Sequence, residues 1–191
     1  MWEKIAVFLF AHLIPLTLVK SPGAFHVPPE LSFAVEPLAI NLEDKPPVPT
    51  FDAKAVLIIE SHSNQTLLAH AVWESLPIAS LTKLMTSLVV REKLDPELTV
   101  KVSSRIASVS GSRMGLIEGE EILVKDLLKG LLISSGNDAA FVLSEAVSGT
   151  PEAFVKLMNE RKISLGLEKT VFADPSGISD QNVSSAFEIA H

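Results

Sequence analysis

The stretch PIASLTKLMTSLVV, residues 77–90, places a serine and a lysine three positions apart at the start of a predicted helix. Apolar residues recur here at the helical spacing of three and four, and this stripe consists of Leu81, Leu84, Met85, Leu88 and Val89. Pro77 is expected to mark the start of the helix. Because residues three apart on a helix are neighbours, we expect Ser80 and Lys83 to lie side by side on the first turn.

A neighbouring serine and lysine can form a nucleophile and its base. A serine hydroxyl is a weak nucleophile until a base takes its proton. Lysine can act as this base when burial and nearby positive charge lower its pKa from ~10.4 toward ~7–8. A helix N-terminus contributes such positive charge. Ser80 is therefore a candidate nucleophile and Lys83 its candidate base. The same spacing also fits a helix-capping serine followed by a solvated lysine.

A second polar cluster, SSGNDAA at residues 134–140, lies between two predicted helices of the segment 124–149. A loop at such a break can direct Ser135 and Asn137 into a cleft. We expect Asn137 to orient Lys83 and to bind a substrate amide, and Ser135 to shuttle a proton to a leaving amine. The alternative is a helix cap that contains glycine and has no chemical role.

The N-terminal 50 residues differ in character from the rest of the chain. An apolar run over residues 5–19 has the length of the core of a secretory signal, so residues 1–26 are predicted to be a signal peptide or an uncleaved membrane anchor; a buried N-terminal helix is the alternative. Residues 27–50 hold half of the twelve prolines and are predicted to be a Pro-rich linker.

The folded part is predicted to begin near Phe51. Two apolar runs flank SHSNQ, residues 61–65, which is typical of a β-hairpin with a polar turn. Mainly helical periodicity follows, with Thr150 as a helix cap before Pro151. The turn DPSG, residues 174–177, comes late in the chain. We therefore predict an α/β fold in which a helical subdomain follows an N-terminal hairpin.

Composition excludes several classes of function. The net charge is −7 and basic runs are absent, so we expect no nucleic-acid partner. The chain has no cysteine and its five histidines are scattered. We therefore predict no disulfide, no metal site and no cofactor.

At this point the sequence resembles a known family. IASLTKLMT (residues 78–86) and LLISSGNDAA (residues 131–140) are similar to the active-site motifs of low-molecular-mass penicillin-binding proteins, and most similar to those of serine-type D-alanyl-D-alanine carboxypeptidases. The likeness extends from about Phe51 to the end of the chain. It implies a β-lactamase/transpeptidase-like fold over residues 51–191.

The resemblance assigns roles to the same residues. It implies that Ser80 forms the acyl-ester, that Lys83 is its general base, and that Ser135 and Asn137 form the second motif. The backbone N–H of Ser80 would be one oxyanion donor. The implied substrate is a peptidoglycan stem peptide that ends in D-Ala-D-Ala, and β-lactams would be inhibitors. The implied location is the periplasmic or extracellular face of a bacterial cytoplasmic membrane, with membrane contact only through an uncleaved N-terminal segment.

The third motif of the family, Lys-Thr/Ser-Gly on a later strand, does not occur in these 191 residues. The segment KTV, residues 169–171, has no glycine. We therefore expect a partial domain whose later sheet strands are missing. Because the loss of one oxyanion donor typically costs about 10²–10³-fold in rate, we expect little carboxypeptidase activity from this chain alone.

Three alternatives remain open from the sequence. A β-lactamase relative would share the fold, although the chain has Ser-Gly-Asn where those enzymes usually have Ser-Asp-Asn. A D,D-endopeptidase would use the same motifs on cross-linked peptides. An inactive exported fragment that binds the cell wall would fit the absent third motif.

Overall fold

The computed structural model describes residues 5–10 and 50–191. Residues 5–10 and 53–191 belong to one compact unit, and residues 50–52 belong to a second unit that otherwise lies outside the described residues. Nearly all of the predicted linker and most of the predicted export segment also lie outside them, so both stay predictions. Among the helices of the described ranges, none has the length and apolar character that a bilayer span requires.

The predicted hairpin is confirmed. Strands β2 (Ala55–Glu60) and β3 (Thr66–His70) pair antiparallel around the polar turn 61–65, with an irregularity in register at Ile58 and Ile59. The apolar sequence of β2 explains its burial, since Ala55 and Leu57 are almost inaccessible. Strand β1 (Ile5–Phe10) pairs in parallel with the other edge of β2.

Four helices form most of the remaining structure: α1 (Thr82–Lys93), α2 (Val124–Ile133), α3 (Asn137–Ser148) and α4 (Pro151–Ser164). Helix α3 packs against the other three. Their shared core contains the fully buried side chains of Leu127, Leu131, Leu143, Phe154 and Met158. Burial of one such side chain contributes about 1.5–3 kcal/mol, so these five side chains stabilise the packing of the helices.

Short elements connect the hairpin and the helices. Strands β5 (Thr99–Lys101) and β6 (Glu121–Leu123) form an antiparallel pair, and the final helix α5 (Ala186–Ala190) lies against β1 and β2. The predicted cap is confirmed, because the Thr150 side chain accepts a hydrogen bond from the backbone N–H of Ala153 at the start of α4.

The predicted start of the first helix is wrong. Leu76–Pro77 form strand β4, which pairs with β7 (Val183–Ser184), and helix α1 begins at Thr82 after a 3₁₀ turn at Ala79–Leu81. A strand partner far along the chain therefore overrides the helical periodicity at Pro77. The apolar stripe predicted for this helix is also wider than the face of α1 that the structure buries.

Leu84 belongs to the predicted apolar stripe of α1 but is not buried in the structure. Leu84 is 49% exposed, whereas Met85 and Val89 are buried in the core. The core therefore covers a narrower face of α1 than the helical spacing predicts.

The turn that follows α4, residues 174–182, is organised by one carboxylate. Asp174 Oδ1 accepts hydrogen bonds from the backbone N–H groups of Ser176 and Gly177 and from the Ser176 hydroxyl. Its Oδ2 accepts from the backbone N–H of Ser179 and from the Asn182 amide. Burial raises the pKa of Asp174, but the hydrogen bonds from Ser176, Ser179 and Gly177 outweigh it and hold the pKa below its ordinary value.

This turn lies directly against the 3₁₀ turn that precedes α1. Gly177 has φ +85°, and a Cβ at this position would overlap the carbonyl oxygen of Ala79. Glycine is therefore required at position 177 both for its backbone conformation and for the close approach of the two turns.

Replacing Gly177 by alanine should lower the free energy of unfolding by about 2–5 kcal/mol, since overpacking costs about 1–3 kcal/mol and a left-handed alanine about 1–2 kcal/mol. Urea denaturation measures the change. Gly166→Ala is the matched control, because Gly166 has φ +72° but open space around its missing Cβ. Equal losses in the two variants would contradict the proposed contact.

Candidate active site

Ser80 lies in the 3₁₀ turn at Ala79–Leu81, two residues before α1, and is exposed. Ala79 has φ +45°, a left-handed conformation that is rare for a residue with a side chain. Such a residue costs of order 1–3 kcal/mol, and the surrounding structure must hold it in place. The contact with Gly177 and the β4–β7 pairing provide that support for the turn that carries Ser80.

Lys83 lies on the first turn of α1 and is only 2% exposed. Its Nζ lies 3.2 Å from Ser80 Oγ. The same Nζ donates a hydrogen bond to the backbone carbonyl of Ser176 at 2.6 Å. The ammonium group is therefore held between the candidate nucleophile and the turn that Asp174 organises.

Burial lowers the pKa of Lys83, whereas the negative charge of Asp174 raises it; burial is the larger effect, and the pKa lies below that of a free lysine. A larger fraction of the side chain is thus neutral near pH 7. A neutral amine 3.2 Å from a hydroxyl has the distance required to accept its proton.

The predicted break between α2 and α3 is confirmed, and it brings the second cluster to Ser80. Ser135 has φ +52° in the loop between the helices, and its Oγ donates a hydrogen bond to Ser80 Oγ at 3.0 Å. Two of the four predicted site residues, Lys83 and Ser135, therefore contact the hydroxyl of a third, Ser80.

Asn137, the fourth predicted residue, begins α3 and is buried. Its side-chain amide donates to the carbonyl of Ser110 at 2.8 Å, and its backbone N–H donates to the carbonyl of Ser112 at 2.8 Å. The contacts of Asn137 therefore fix the loop 110–112. Its predicted roles toward Lys83 and a substrate amide stay predictions.

Asp138 also holds a loop near this cluster, although no sequence pattern pointed to this role. Its carboxylate accepts hydrogen bonds from the backbone N–H groups of Met114, Gly115 and Leu116. Burial raises the pKa of Asp138, but these hydrogen bonds outweigh it and keep the group ionised. The side chain therefore attaches the loop 112–116 to the start of α3.

The carbonyl of Ser176 is the other partner that the sequence did not predict. The DPSG segment was predicted as a turn, but a backbone carbonyl carries no sequence signature of its own. An aspartate followed by a glycine three positions later is the one signal that points to this arrangement. A second contact fixes the same turn, because the Thr86 hydroxyl donates to the carbonyl of Pro175 at 2.6 Å.

The arrangement is suited to nucleophilic catalysis. It offers an exposed hydroxyl on Ser80, a buried amine on Lys83 and a second hydroxyl on Ser135, all connected by hydrogen bonds. A nucleophile with a positioned base can attack a carbonyl carbon and form a covalent ester. Acyl transfer is therefore the reaction class that fits this site.

Comparison with known proteins identifies relatives among the peptidases. The family model for D-alanyl-D-alanine carboxypeptidase, peptidase family S11, matches residues 42–191. The chain is 40% identical over 145 residues to the D-alanyl-D-alanine carboxypeptidase DacF of Bacillus subtilis, which covers 73% of this chain and 37% of DacF. It is 35% identical over 144 residues to a D-alanyl-D-alanine endopeptidase of Escherichia coli, which covers 74% of this chain and 46% of that protein.

A solved structure extends the similarity to the fold. The crystal structure of the D-alanyl-D-alanine carboxypeptidase DacD from Francisella tularensis superposes with a TM-score of 0.71 at 31% identity, over 76% of this chain and 37% of that one. The predicted β-lactamase/transpeptidase-like α/β fold is thereby confirmed for the part present here. The chain spans less than half the length of these relatives. Because the family model covers most of its residues, the chain belongs to the D-alanyl-D-alanine carboxypeptidase family, peptidase family S11.

Proposed function

We propose that the protein is a serine-type D-Ala-D-Ala carboxypeptidase that works through an acyl-enzyme on Ser80. The observation that carries this proposal is the pair of contacts to Ser80 Oγ, with Lys83 Nζ at 3.2 Å and Ser135 Oγ at 3.0 Å. Family membership supports the same chemistry.

In the proposed reaction, neutral Lys83 takes the proton of the Ser80 hydroxyl as Oγ attacks the carbonyl carbon of the penultimate D-alanine. The C–N bond to the terminal D-alanine then breaks, and Ser135 passes its hydroxyl proton to the leaving amine. Lys83 returns the proton it took from Ser80 to Ser135. Water next attacks the ester on Ser80, releases the shortened peptide and restores the hydroxyl. Asn137 is proposed to bind a substrate amide beside this ester.

The proposed substrate is a peptidoglycan stem peptide, and β-lactams are proposed to acylate the same serine. We also propose that the protein is exported and acts in cell-wall metabolism, and that the apolar run over residues 5–19 directs the export. No cofactor enters this mechanism, because a serine, a lysine and a water molecule account for every bond that forms or breaks.

A D,D-endopeptidase is a second candidate, because the D-alanyl-D-alanine endopeptidases of Escherichia coli and Haemophilus influenzae are 34–35% identical to this chain. The two candidates share the acyl-enzyme and differ in the leaving amine. Comparison of a monomeric pentapeptide with a cross-linked dimer as substrate separates them.

Incubation with benzylpenicillin should add the mass of one penicillin to the tryptic peptide that contains Ser80, because the activated hydroxyl opens the lactam ring and forms a stable ester. Mass spectrometry of wild type and Ser80→Ala measures it. Ser87→Ala, one helical turn or more from the site on α1, is the matched control and should label like wild type. Labelling that persists in Ser80→Ala would contradict the proposed nucleophile.

The rate of acylation should rise with pH and then reach a plateau. The midpoint of this rise should lie below the ordinary lysine pKa of about 10.4, because burial lowers the pKa of Lys83 and only its neutral form accepts a proton. Below the midpoint the rate should increase about tenfold per pH unit, in proportion to the neutral fraction. Stopped-flow measurement with a chromogenic cephalosporin gives the profile.

Lys83→Arg keeps the positive charge but cannot lose a proton in this range, and it should reduce the acylation rate by about 10²-fold or more. A variant with the wild-type rate, or a midpoint at or above the ordinary lysine pKa, would contradict Lys83 as the base.

A further inference from the structure

Asp174 takes no part in the proposed mechanism, but one peptide group connects it to the proposed base. The peptide group that joins Ser176 to Gly177 carries the carbonyl to which Lys83 Nζ donates, at 2.6 Å. The N–H of the same peptide group belongs to Gly177 and donates to Asp174 Oδ1, at 2.7 Å. A single peptide group is therefore hydrogen-bonded to the carboxylate at one end and to the ammonium at the other.

The geometry of this peptide group lets the carboxylate act on the ammonium. The group is trans, so its N–H and its carbonyl point in opposite directions. The positive end of its dipole faces Asp174 and the negative end faces Lys83, and hydrogen bonds in such a chain polarise one another. Asp174 also fixes the position of the carbonyl, because its Oδ1 accepts hydrogen bonds from the backbone N–H and the hydroxyl of Ser176.

The proposed base needs such support once it has taken a proton. Lys83 is almost inaccessible to water, so hydration contributes little to stabilising the ammonium. Both oxygens of Asp174 are occupied by donors of its own turn, and Lys83 Nζ bonds to the carbonyl of Ser176 instead of to a carboxylate. A direct ion pair would hold Lys83 in its charged form, whereas a carboxylate behind a peptide group stabilises the ammonium less and leaves the amine able to lose its proton.

Asp174 is the charged group of the described residues whose field acts on Lys83. Helix α1 packs against α2, α3 and α4. The other carboxylates of α1 to α5 that have a partner bind it elsewhere: Asp126 to Lys129, Asp138 to the 112–116 loop, Glu145 to Arg105, Glu92 to Arg161 and Glu188 to Thr170. The exposed carboxylates of α4 and of the turn 174–182 are screened by water, and these are Glu152, Glu160 and Asp180.

We propose that Asp174 is a positioning residue for Lys83. Through the peptide group that joins Ser176 to Gly177, its carboxylate orients the base and stabilises the ammonium that forms when Lys83 takes the proton of Ser80. A third group that orients a base and stabilises its protonated form is a recurring part of nucleophilic catalysis. The inference rests on the proposed function, since it takes Lys83 as the base for Ser80.

Asp174→Asn removes the charge and keeps an oxygen that can accept from the Gly177 N–H. Since a negative charge favours the ammonium, its removal should shift the Lys83 midpoint to lower pH, as measured from the lysine ¹³Cε signals by NMR. The plateau of the acylation rate should fall about two- to fivefold, the range of a screened charge pair. Well below the midpoint the variant should be at least as fast as wild type, because a larger fraction of Lys83 is neutral.

Asp95→Asn is the matched control. Asp95 also accepts a backbone hydrogen bond, from Glu97, but it lies beyond the far end of α1, so its variant should keep the wild-type midpoint and rates. A merely structural role for Asp174 would lower the rate at every pH without moving the midpoint. An unchanged Lys83 midpoint in Asp174→Asn, or a rate that falls equally at every pH, would therefore overturn the inference.

A measurement on wild type tests the same interaction even if the asparagine variant does not fold. The ¹³Cγ signal of Asp174 should show a step at the midpoint of Lys83, because each group senses the charge of the other. The ¹³Cγ signal of Asp95 should show no such step. An Asp174 signal that stays constant through the Lys83 titration would also overturn the inference.

Penicillin labelling of Ser80 in the same samples distinguishes the two proposals. If Ser80 is labelled but the Lys83 midpoint does not move in Asp174→Asn, the proposed function stands and the role of Asp174 is wrong. If Ser80 is not labelled in wild type, the proposed function fails and the role of Asp174 fails with it, whatever the Lys83 titration gives.

Discussion

A single buried ammonium group connects the parts of this site. Lys83 Nζ lies between Ser80 Oγ and the carbonyl of Ser176, and it is almost inaccessible to water. Burial favours the neutral form of the amine, and the negative charge of Asp174 acts in the opposite direction by favouring the charged form. The chemistry proposed for Ser80 depends on this balance, because a fully solvated lysine would remain protonated at neutral pH.

Two hydrogen-bonded carboxylates each fix a loop or turn next to a residue of the site. Asp174 arranges the turn that presents the Ser176 carbonyl, and Asp138 attaches the 112–116 loop to the start of α3. Each carboxylate is kept ionised by backbone N–H groups that outweigh the cost of its burial. The polar groups of the site therefore keep their positions because these two carboxylates fix the backbone around them.

The part of the fold determined by local sequence could be predicted. The alternation of apolar and polar runs gave the β2–β3 hairpin, and the Thr150-Pro151 pair gave the start of α4. The spacing of Ser80 and Lys83 placed them within contact distance, even though Ser80 precedes the helix. Such predictions are possible because the contacts that determine these features join residues close together in the sequence.

Contacts between distant segments could not be predicted in the same way. The β4–β7 pairing moves the start of α1 to Thr82, and no residue near Pro77 signals a partner at Val183. The role of Ser176 rests on a backbone carbonyl, which every residue has. Leu84 is exposed because the helices of this chain cover only one side of α1, and periodicity does not tell how wide that side is.

The most direct test of this account is the pKa of Lys83 itself. Titration of the lysine ¹³Cε signals by NMR, with the Lys83 signal assigned by its loss in Lys83→Arg, gives this value without any substrate. The account predicts a midpoint below the ordinary lysine value of about 10.4, since burial lowers the pKa more than Asp174 raises it. A midpoint at or above that value would mean that the amine stays charged beside Ser80, and would contradict the proposed base.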